Sequence, residues 1–475
     1  MHDVNVLTAN WVPVADKYGA IQIVSPYDIF RNDYVQFSGD PVENLSLTRF
    51  FLALSQAPTA NQCKNWKELK GLRTTYVENV LNYMDQNIDL FWMGGDKPFL
   101  QCTESELGVN TKGKDISETP LQLREVHAKG NNTLLGQMHN TAYNEPVDVI
   151  LDLLVRQTFS VAYGKSGAKP TRSMIWDKST LGIINFHIGT DSIIDTLWAN
   201  FHRTDRNPMP FGVPVWESRF NSEYCDTYLN RLVSLSCKMI ISNDLQTMQV
   251  NSGIDYPNLV DPFMSMETVA EELVPIKQRH DTRIWKEYSK IFSNNASKPE
   301  FFDERMLEFD RMYISSLGGM YKFIMGTYST ESFSDSMYAI SNPSKITEAE
   351  YAAFYDNAVL LADELCKAFN TSFYAIYAST KYGSASSLNM SEKKAIRDIT
   401  TNMVNYLWQE IDIKSPQLLQ CNGTESDFTE WKSALYIALC ETFNHVQNRY
   451  GVLCATKVRN TKMMWEIIKK ITNKE

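Results

Sequence analysis

The residues best suited to chemistry in this sequence lie in a short loop that contains glycine and lysine. The tripeptide Gly164-Lys165-Ser166 is its centre, and Lys169 and Pro170 follow closely. Glycine allows backbone N–H groups to approach a ligand, and the two lysines add positive charge, so the segment is suited to binding an anion. An ordinary surface turn is the alternative interpretation of the same residues.

The tripeptide also matches the last three letters of a nucleotide-binding P-loop, but two observations exclude that motif. A P-loop needs a glycine five residues before Gly164, where this chain has Phe159. It also runs from a strand into a helix. Here the order is reversed, because helical apolar spacing continues up to Thr158 and a glycine-bounded apolar run at 181–189 predicts a strand.

The sequence shows no catalytic or metal-binding constellation near this loop or elsewhere. The seven histidines lack a His-x-x-x-His spacing, and the eight cysteines include no Cys-x-x-Cys pair. No serine lies in a Gly-x-Ser-x-Gly context. Asp148 and Asp152 stand four residues apart on the predicted helix, where a solvated helix face explains them better than a catalytic pair. We therefore expect no enzyme activity, no bound metal and no cofactor.

The composition is that of a globular protein with more than one domain. The chain has 475 residues, which is too long for one ordinary core. No apolar run reaches membrane-spanning length and the cysteines are scattered, so we expect a cytoplasmic protein with no membrane partner. The net charge of −10 argues against a protein that coats nucleic acid by itself. It does not exclude local basic contacts within a ribonucleoprotein.

The elements that would position the loop are predicted to form an α+β fold. Short β-type runs before residue 25 indicate an N-terminal sheet, and the polar stretch 103–146 indicates long loops. A hairpin is predicted at 238–250, with Asn243 and Asp244 as its turn.

The second half of the chain shows helical apolar spacing throughout, from about residue 301. Capping-box patterns begin at Thr347 and at Asp427, and the apolar stripes predict four helices with polar connections. We therefore predict a large mixed N-terminal domain with irregular sheets and long loops over residues 1–345. An antiparallel four-helix bundle is predicted to follow over residues 346–475.

Four short motifs occur along the chain in one order. They are Asn10-Trp11-Val12-Pro13-Val14, Pro98-Phe99-Leu100-Gln101, Gly164-Lys165-Ser166-Gly167 and Phe323-Ile324-Met325-Gly326-Thr327-Tyr328. Together they resemble the CasA-type large subunit (Cse family) of the type I-E CRISPR Cascade surveillance complex. Each match is short, but their joint order over the whole chain is more specific than any single motif.

The resemblance implies a non-catalytic DNA-recognition subunit. Members of that family recognise the protospacer-adjacent motif (PAM) in double-stranded DNA and begin strand separation for the R-loop. The implied partners are target DNA, CRISPR guide RNA, a helicase–nuclease and the other Cascade subunits: the backbone, the small subunits and the subunit that binds the RNA 5′ handle. A structural subunit of another multiprotein assembly is the alternative, and an undetected nuclease is a third hypothesis.

The resemblance also implies roles for individual residues. Those implied to bind the PAM in the minor groove are Ala162, Tyr163, Gly164, Lys165, Ser166, Gln246 and Thr247. Those implied to form a wedge that splits the first base pair are Ser329, Thr330, Glu331 and Ser332. Those implied to contact the PAM region and the RNA 5′ handle are Met138, His139, Asn140 and Thr141. Small residues suit the minor groove, because they let backbone N–H groups reach base-edge acceptors.

The sequence departs from the family's pattern at three of these places. Ala162 and Tyr163 stand among the glycines that usually precede Lys-Ser-Gly. Ser332 occupies the position where a wedge glutamine is usual, and the hairpin tip carries Asn243 and Asp244 but no lysine. The resemblance therefore implies the role of each segment but not the PAM sequence that this chain reads.

Overall fold

The structure is a computed structural model that describes most of residues 3–472. The positions outside the description are 33, 111, 122, 124–142, 160–183, 206–208, 257–261, 270, 277–282, 293–299, 301–304, 306–307, 309–311, 325–326, 341–344, 346–347 and 384–387. The backbone alone is described at 61, 159, 273, 290, 312–324 and 327–340.

The chain divides into two compact units. Unit 1 comprises Met1–Ile284 and Ser297–Met337, and unit 2 comprises Trp285–Ala296 and Tyr338–Glu475. Unit 2 is therefore discontinuous in sequence. The limits 1–345 and 346–475 stay a prediction about which parts fold independently.

Strands and short helices alternate along unit 1. The described strands of the chain are β1 (Val12–Ala15), β2 (Ile21–Val24), β3 (Gln36–Phe37), β4 (Thr119–Pro120), β5 (Asn185–Gly189), β6 (Cys237–Ile241), β7 (Thr247–Ser252), β8 (Met266–Val269), β9 (Glu272–Pro275), β10 (Met312–Ile324) and β11 (Thr327–Ile340). The described helices of unit 1 are α1 (Pro26–Arg31), α2 (Pro41–Gln56), α3 (Trp66–Leu72), α4 (Tyr76–Gln86), α5 (Glu104–Leu107), α6 (Ile150–Phe159), α7 (Ile193–Ala199), α8 (Val215–Ser218) and α9 (Tyr228–Leu232).

The described strands form small sheets rather than one large one. Their orders are β2-β1-β3, β11-β10-β5, β4-β7-β6 and β8-β9. Each described register is antiparallel. The predicted N-terminal sheet is thus confirmed, and the strand predicted at 181–189 is found as β5.

Helix α2 is the central element of unit 1. Its start is fixed by a capping box between Asp40 and Glu43, with Pro41 in the first turn. The residues from Leu45 to Gln56 are all buried, as expected for a helix that is surrounded by protein on every side. The ring of Phe50 lies within 6.0 Å of four other aromatic rings, which are Trp11, Phe51, Phe99 and Trp216.

The prediction of helix throughout from residue 301 is wrong, because β10 and β11 are long strands. Both strands contain Tyr, Phe and Ile, and β11 also contains Thr, which favour strands, and β10 contains Gly318-Gly319, which disfavours a helix. Partner strand β5 lies far away in sequence, with Tyr313 opposite Gly189 and Leu317 opposite Asn185. Local spacing alone therefore did not reveal the pairing.

Unit 2 contains the last three residues of β11, and the rest of its described part is mainly helical. The helical C-terminal part is thus present as predicted. Its helices are α10 (Ile284–Phe292), α11 (Ala349–Tyr382), α12 (Met390–Lys414), α13 (Glu425–Tyr450), α14 (Val452–Arg459) and α15 (Lys462–Thr472). Helices α11, α12 and α13 pack in succession, and α14 and α15 both pack against α11. The fourth predicted helix, whose apolar stripe begins at Met463, is present as α15, and α14 is a short helix between it and α13 that was not predicted.

Both predicted capping boxes in this region are wrong in position. The N-cap of α11 is Glu348, which makes no side-chain cap bond, whereas Thr347 lies outside the described residues. The N-cap of α13 is Thr424, whose side chain accepts a hydrogen bond from the Asp427 backbone N–H. Asp427 therefore closes a capping box that begins three residues before the predicted start.

None of the helices in the described part of the chain is both long and apolar enough to cross a membrane.

Candidate nucleic-acid interface

The hairpin predicted at 238–250 is present as β6 and β7. The two strands pair from Cys237 opposite Ser252 to Ile241 opposite Met248. Five residues, 242–246, connect them, so the turn is longer than the two residues that were predicted. The third strand of this sheet, β4, pairs with β7 and leaves β6 at the edge.

The tip of the hairpin is ordered by one carboxylate. Asp244 Oδ1 accepts hydrogen bonds from Ser242 Oγ at 2.6 Å and from the Gln246 backbone N–H at 3.1 Å. Ser242 Oγ in turn accepts from the Thr247 N–H at 2.9 Å, and Leu245 adopts a left-handed φ of 58°. The bond from Ser242 and then that from Gln246 lower the pKa of the exposed Asp244 carboxyl. The tip therefore carries a fixed negative charge at neutral pH.

Two of the predicted PAM-binding residues, Gln246 and Thr247, lie at the end of this hairpin. Gln246 is exposed and Thr247 is partly exposed. The Gln246 carbonyl accepts from the Leu121 N–H at 2.8 Å, and Thr247 pairs with Pro120 in β4. A carboxamide and a hydroxyl held in this way can hydrogen-bond to base edges or to phosphates.

The remaining predicted site residues are described only in part or not at all. Those outside the described residues are Ala162, Tyr163, Gly164, Lys165, Ser166, Met138, His139, Asn140 and Thr141. The backbone of the predicted wedge, 329–332, lies in the first half of β11, and its side chains are not described. Gln246 and Thr247 are thus the predicted site residues whose side chains the structure brings together.

The end of α6 is bound to the base of the hairpin through Gln157. Its Nε2 donates to the carbonyls of Leu100 at 2.8 Å and of Cys237 at 2.9 Å, and its Oε1 accepts from the Cys237 N–H at 3.1 Å. Its backbone carbonyl accepts from Ser234 Oγ at 2.7 Å and from Ser236 Oγ at 3.0 Å. The Gln157 side chain is fully buried.

The segment around Gln101 binds the same strand farther along. Gln101 Oε1 accepts from the Ile241 N–H at 3.2 Å, and its Nε2 donates to the Met93 carbonyl at 3.0 Å. The Cys102 N–H donates to the Met239 carbonyl at 2.9 Å. Burial raises the pKa of the Cys102 thiol to about 12, so this cysteine is an unreactive core residue.

An ion pair supports this segment from outside. Arg219 donates to both carboxylate oxygens of Glu106, at 3.1 and 2.7 Å, and to the Gln101 carbonyl at 3.2 Å. Burial opposes ionisation of Glu106, but the hydrogen bonds from Arg219 and from Thr103 outweigh it and lower the pKa of the carboxyl. The two charges therefore fix the backbone that carries Gln101.

The solvated helix face predicted for Asp148 and Asp152 is wrong for Asp152. That carboxylate is buried and accepts from the Tyr143 hydroxyl at 2.6 Å. Asp148 instead accepts the N–H groups of Asn144 and Glu145 and so caps the turn before α6. No group of three or more metal-ligating side chains occurs within the described residues.

A concave surface lies elsewhere in unit 1 and has a volume of about 330 Å³. It is lined by Lys70, Arg73, Asp195, Trp198 and Glu308. Lys70 Nζ pairs with Glu308 at 2.9 Å, and Arg73 pairs with Asp195. Because its charges are paired, this surface has little attraction for a phosphate.

The two glutamines that hold the hairpin do not stand out in the sequence as functional residues. Gln101 ends the motif Pro98–Gln101, and Gln157 stands on the apolar face of α6 between Leu154 and Thr158. An uncharged amide on a buried helix face is a signal for a structural hydrogen-bond partner. The partner itself could not be deduced, because it lies 80 residues away.

Comparison with protein-family models decides the family. The model for the CRISPR-associated protein Cse1 matches residues 5–441. The chain belongs to the Cse1 family. The resemblance to a CasA-type subunit of CRISPR Cascade is therefore confirmed. A search of curated protein sequences found no match.

Solved Cse1 structures share the fold of this chain. A CasA from Thermus thermophilus is 13% identical with a TM-score of 0.76, over 98% of this chain and 99% of its own. Thermobifida fusca Cse1 is 15% identical with a TM-score of 0.73, over 99% and 98%. Acidimicrobium ferrooxidans Cse1 is 14% identical with a TM-score of 0.72, over 99% of both. At such low identity the likeness establishes the fold alone, and the predicted α+β fold with a helical C-terminal part is confirmed.

Proposed function

We propose that this Cse1-family chain is the non-catalytic large subunit of a type I-E CRISPR RNA-guided surveillance complex. It recognises the PAM in double-stranded DNA, helps to open the duplex for R-loop formation and recruits the helicase–nuclease. Its other partners are the guide RNA and the remaining Cascade subunits.

The exposed tip of the β6–β7 hairpin, in a chain of the Cse1 family, is the observation that supports this proposal best. Gln246 and Thr247 carry neutral hydrogen-bonding groups at the end of a narrow two-stranded element. The minor groove offers acceptors on every base pair, which neutral donors such as the Gln246 carboxamide and the Thr247 hydroxyl can contact.

The loop that contains Gly164, Lys165 and Ser166 is the second proposed DNA contact. It follows α6, whose last turn is bound to Cys237 at the base of the hairpin. The chain therefore enters this loop next to the other proposed minor-groove element. Glycine and serine allow close backbone approach, and Lys165 adds attraction to phosphate.

Two further segments complete the proposal. Residues 329–332 act as the wedge beside the first base pair, and residues 138–141 contact the PAM region and the RNA 5′ handle. The chain itself breaks no bond. In the described part of the structure, the acids around α6 and the hairpin serve as caps or ion pairs, which supports a binding role. Incubating the isolated chain with DNA and Mg²⁺ or Mn²⁺ is expected to give no cleavage.

The decisive test uses the chain assembled with guide RNA and the other Cascade subunits. Affinity is measured for duplexes with and without the PAM, in the wild type, in Gly164→Asp with Lys165→Ala, and in Gln246→Ala with Thr247→Ala. Each lost base or phosphate contact costs about 1–3 kcal/mol. We therefore expect each double variant to bind the PAM duplex roughly 10- to 100-fold more weakly.

A matched control changes a lysine and a glutamine in a different hairpin of unit 1, β1–β2, as Lys17→Ala with Gln22→Ala. Both residues are exposed in β2 or in the turn before it, and binding is expected to stay at the wild-type level. If both site variants bind the PAM duplex as tightly as this control, the proposed contacts are wrong. An assembly purified without guide RNA would instead favour a structural subunit of another complex.

A further inference from the structure

Strand β6 is an edge strand whose free side is hydrogen-bonded by side chains and loop backbone. Among the described strands, the sheet order β4-β7-β6 gives β6 a neighbour on one side only. The bonds from Gly253 N–H to Ser236 and from Ser242 N–H to Thr247 set the ladder with β7. In an antiparallel pair these positions alternate with residues that point their N–H and C=O groups outward. The outward residues here are 237, 239 and 241.

Each outward residue of β6 has a hydrogen-bond partner from elsewhere in unit 1. Gln157 bonds both the N–H and the carbonyl of Cys237. Cys102 N–H bonds the Met239 carbonyl, and Gln101 Oε1 accepts from the Ile241 N–H. A carboxamide presents one donor group and one acceptor in the same spacing as a peptide bond, so the two glutamines take the place of a neighbouring strand.

These bonds hold β6 along its outer edge from Cys237 to Ile241. Strand β4 and Leu121 hold the hairpin near its tip, at Thr247 and Gln246. From Cys237 to the tip the strand is about five residues long, which is roughly 17 Å at 3.3 Å per residue. A rotation of roughly 5° at the base would displace the tip by about 1.5 Å, a large part of the length of a hydrogen bond. The bonds of Gln157 to Cys237 therefore influence the direction of the hairpin from a position far from Gln246 and Thr247.

We propose that Gln157, assisted by Gln101, is a positioning residue for PAM recognition, an inference that rests on the proposed function of the hairpin. Gln157 touches no nucleic acid itself. It fixes the direction of β6 and, through Ser234 and Ser236, the place where α6 ends. The hairpin begins at Cys237, which Gln157 binds, and the loop that contains Gly164 follows the helix α6 that carries Gln157. Gln157 therefore lies beside the starting point of both proposed minor-groove segments.

The test replaces Gln157 by methionine, which has a similar length and no amide. In the assembled complex, PAM discrimination is measured as the ratio of Kd for a duplex without the PAM to Kd for one with it. We expect the Gln157→Met variant to lose about ten-fold in this ratio, with little change in binding to the PAM-free duplex. A tenfold change corresponds to about 1.4 kcal/mol, the size of one base contact.

Gln56→Met is the matched control. Gln56 is also fully buried in unit 1. Its Oε1 accepts from the His202 N–H at 2.9 Å and its Nε2 donates to the His202 carbonyl at 3.2 Å. It has no bond to the hairpin. We expect it to lower the melting temperature about as much as Gln157→Met and to leave PAM discrimination unchanged. Equal loss of discrimination in both variants would reduce Gln157 to a general stability role.

Hydrogen exchange of the complex without DNA separates this inference from the proposed function. The Cys237 amide is expected to exchange faster in Gln157→Met, and the Ile241 amide faster in Gln101→Met. Unchanged exchange at both amides would overturn the inference and leave the proposed function standing. A wild-type complex without PAM preference would overturn both. If Gln157→Met does not assemble, Ser234→Ala is the alternative variant, because it removes one bond to the Gln157 carbonyl. We expect it to reduce PAM discrimination in the same direction. An unchanged ratio of Kd values would count against the inference.

Discussion

At the scale of single residues, the polar side chains of this site hold backbone in place. Gln157 and Gln101 bind the edge of a strand, Asp244 closes a turn, and Glu106 pairs with Arg219. Each has hydrogen-bond partners within the protein, and together these bonds fix the backbone around the hairpin.

The negative charge of Asp244 at the hairpin tip opposes DNA binding, because it repels phosphates. The same oxygen accepts from Ser242 Oγ and from the Gln246 N–H, and an asparagine Oδ1 can accept both bonds. Asp244→Asn should therefore keep the turn and remove the charge. We expect the assembled complex to bind PAM duplex roughly two- to five-fold more tightly at low salt, and less so at high salt, because salt screens exposed charges. Titrations at two salt concentrations measure this.

Asp16→Asn is the matched control for that variant. Asp16 Oδ1 likewise accepts two backbone N–H groups, from Tyr18 at 2.8 Å and Ala20 at 2.9 Å, in the turn between β1 and β2. Its loss of charge should leave DNA affinity unchanged. Equal gains in both variants would mean that the effect is one of net charge, and that the hairpin tip is not near the DNA.

At the scale of elements, the hairpin depends on a close approach of two backbones at its base. The N–H of Gly253 donates to the Ser236 carbonyl at 3.0 Å. A Cβ added at Gly253 would lie 2.2 Å from the Leu235 carbonyl oxygen and 2.5 Å from the Ser236 carbonyl carbon. Glycine is thus required here by space, although its φ is not in the left-handed region.

Gly253→Ala should push the two strands apart where Gln157 holds them. Overpacking of this kind typically costs about 1–3 kcal/mol. We expect a lower urea midpoint for the chain and reduced PAM discrimination in the assembled complex.

Gly71→Ala provides the comparison, because a Cβ at Gly71 in α3 would meet no atom within 4 Å. In a helix this change raises stability by up to about 1 kcal/mol. Similar urea midpoints for the two alanine variants would show that the base of the hairpin can relax around a side chain.

At the scale of the whole molecule, unit 2 includes a helix that is separated from the rest of the unit by the 41 residues Ser297–Met337. Trp285 of α10 is buried, and its ring lies 6.4 Å from that of Trp408 and 6.2 Å from that of Trp431. Its Nε1–H donates to Asp412 at 2.8 Å, and the Tyr355 hydroxyl donates to its carbonyl at 2.9 Å. Helix α10 is therefore part of the core of unit 2.

Trp285→Ala should destabilise unit 2 by about 3–5 kcal/mol, the usual cost of removing a buried Trp side chain. Denaturant unfolding of the full chain, followed by near-ultraviolet circular dichroism, measures it. Trp465→Ala on α15 is the control, since 52% of that side chain is exposed, and it should change stability by less than about 0.5 kcal/mol. An equally small effect of both variants would mean that α10 contributes little to the unit, and that residues 346–475 could fold alone.

The sequence by itself was enough for the family, the fold class and most helices. Short motifs keep their linear order whatever the fold, and apolar spacing reports which face of a helix is buried. Such local signals predicted the helix that precedes the loop with Gly164, and they also predicted the hairpin near 238–250. The missed turn length and the two displaced capping boxes are errors of a few residues, because several neighbouring residues could have served as cap or turn.

Only the tertiary structure decided which distant residues meet. Gln157 and Cys237 are 80 residues apart, and Gln101 and Ile241 are 140 apart. The burial of Asp152, the pairing of β10 with β5 and the place of α10 in unit 2 are likewise set by long-range packing. Local propensity and periodicity depend on a few adjacent positions, so they do not specify which distant residues become neighbours in space. A hydrogen bond across the core depends on how the whole chain packs.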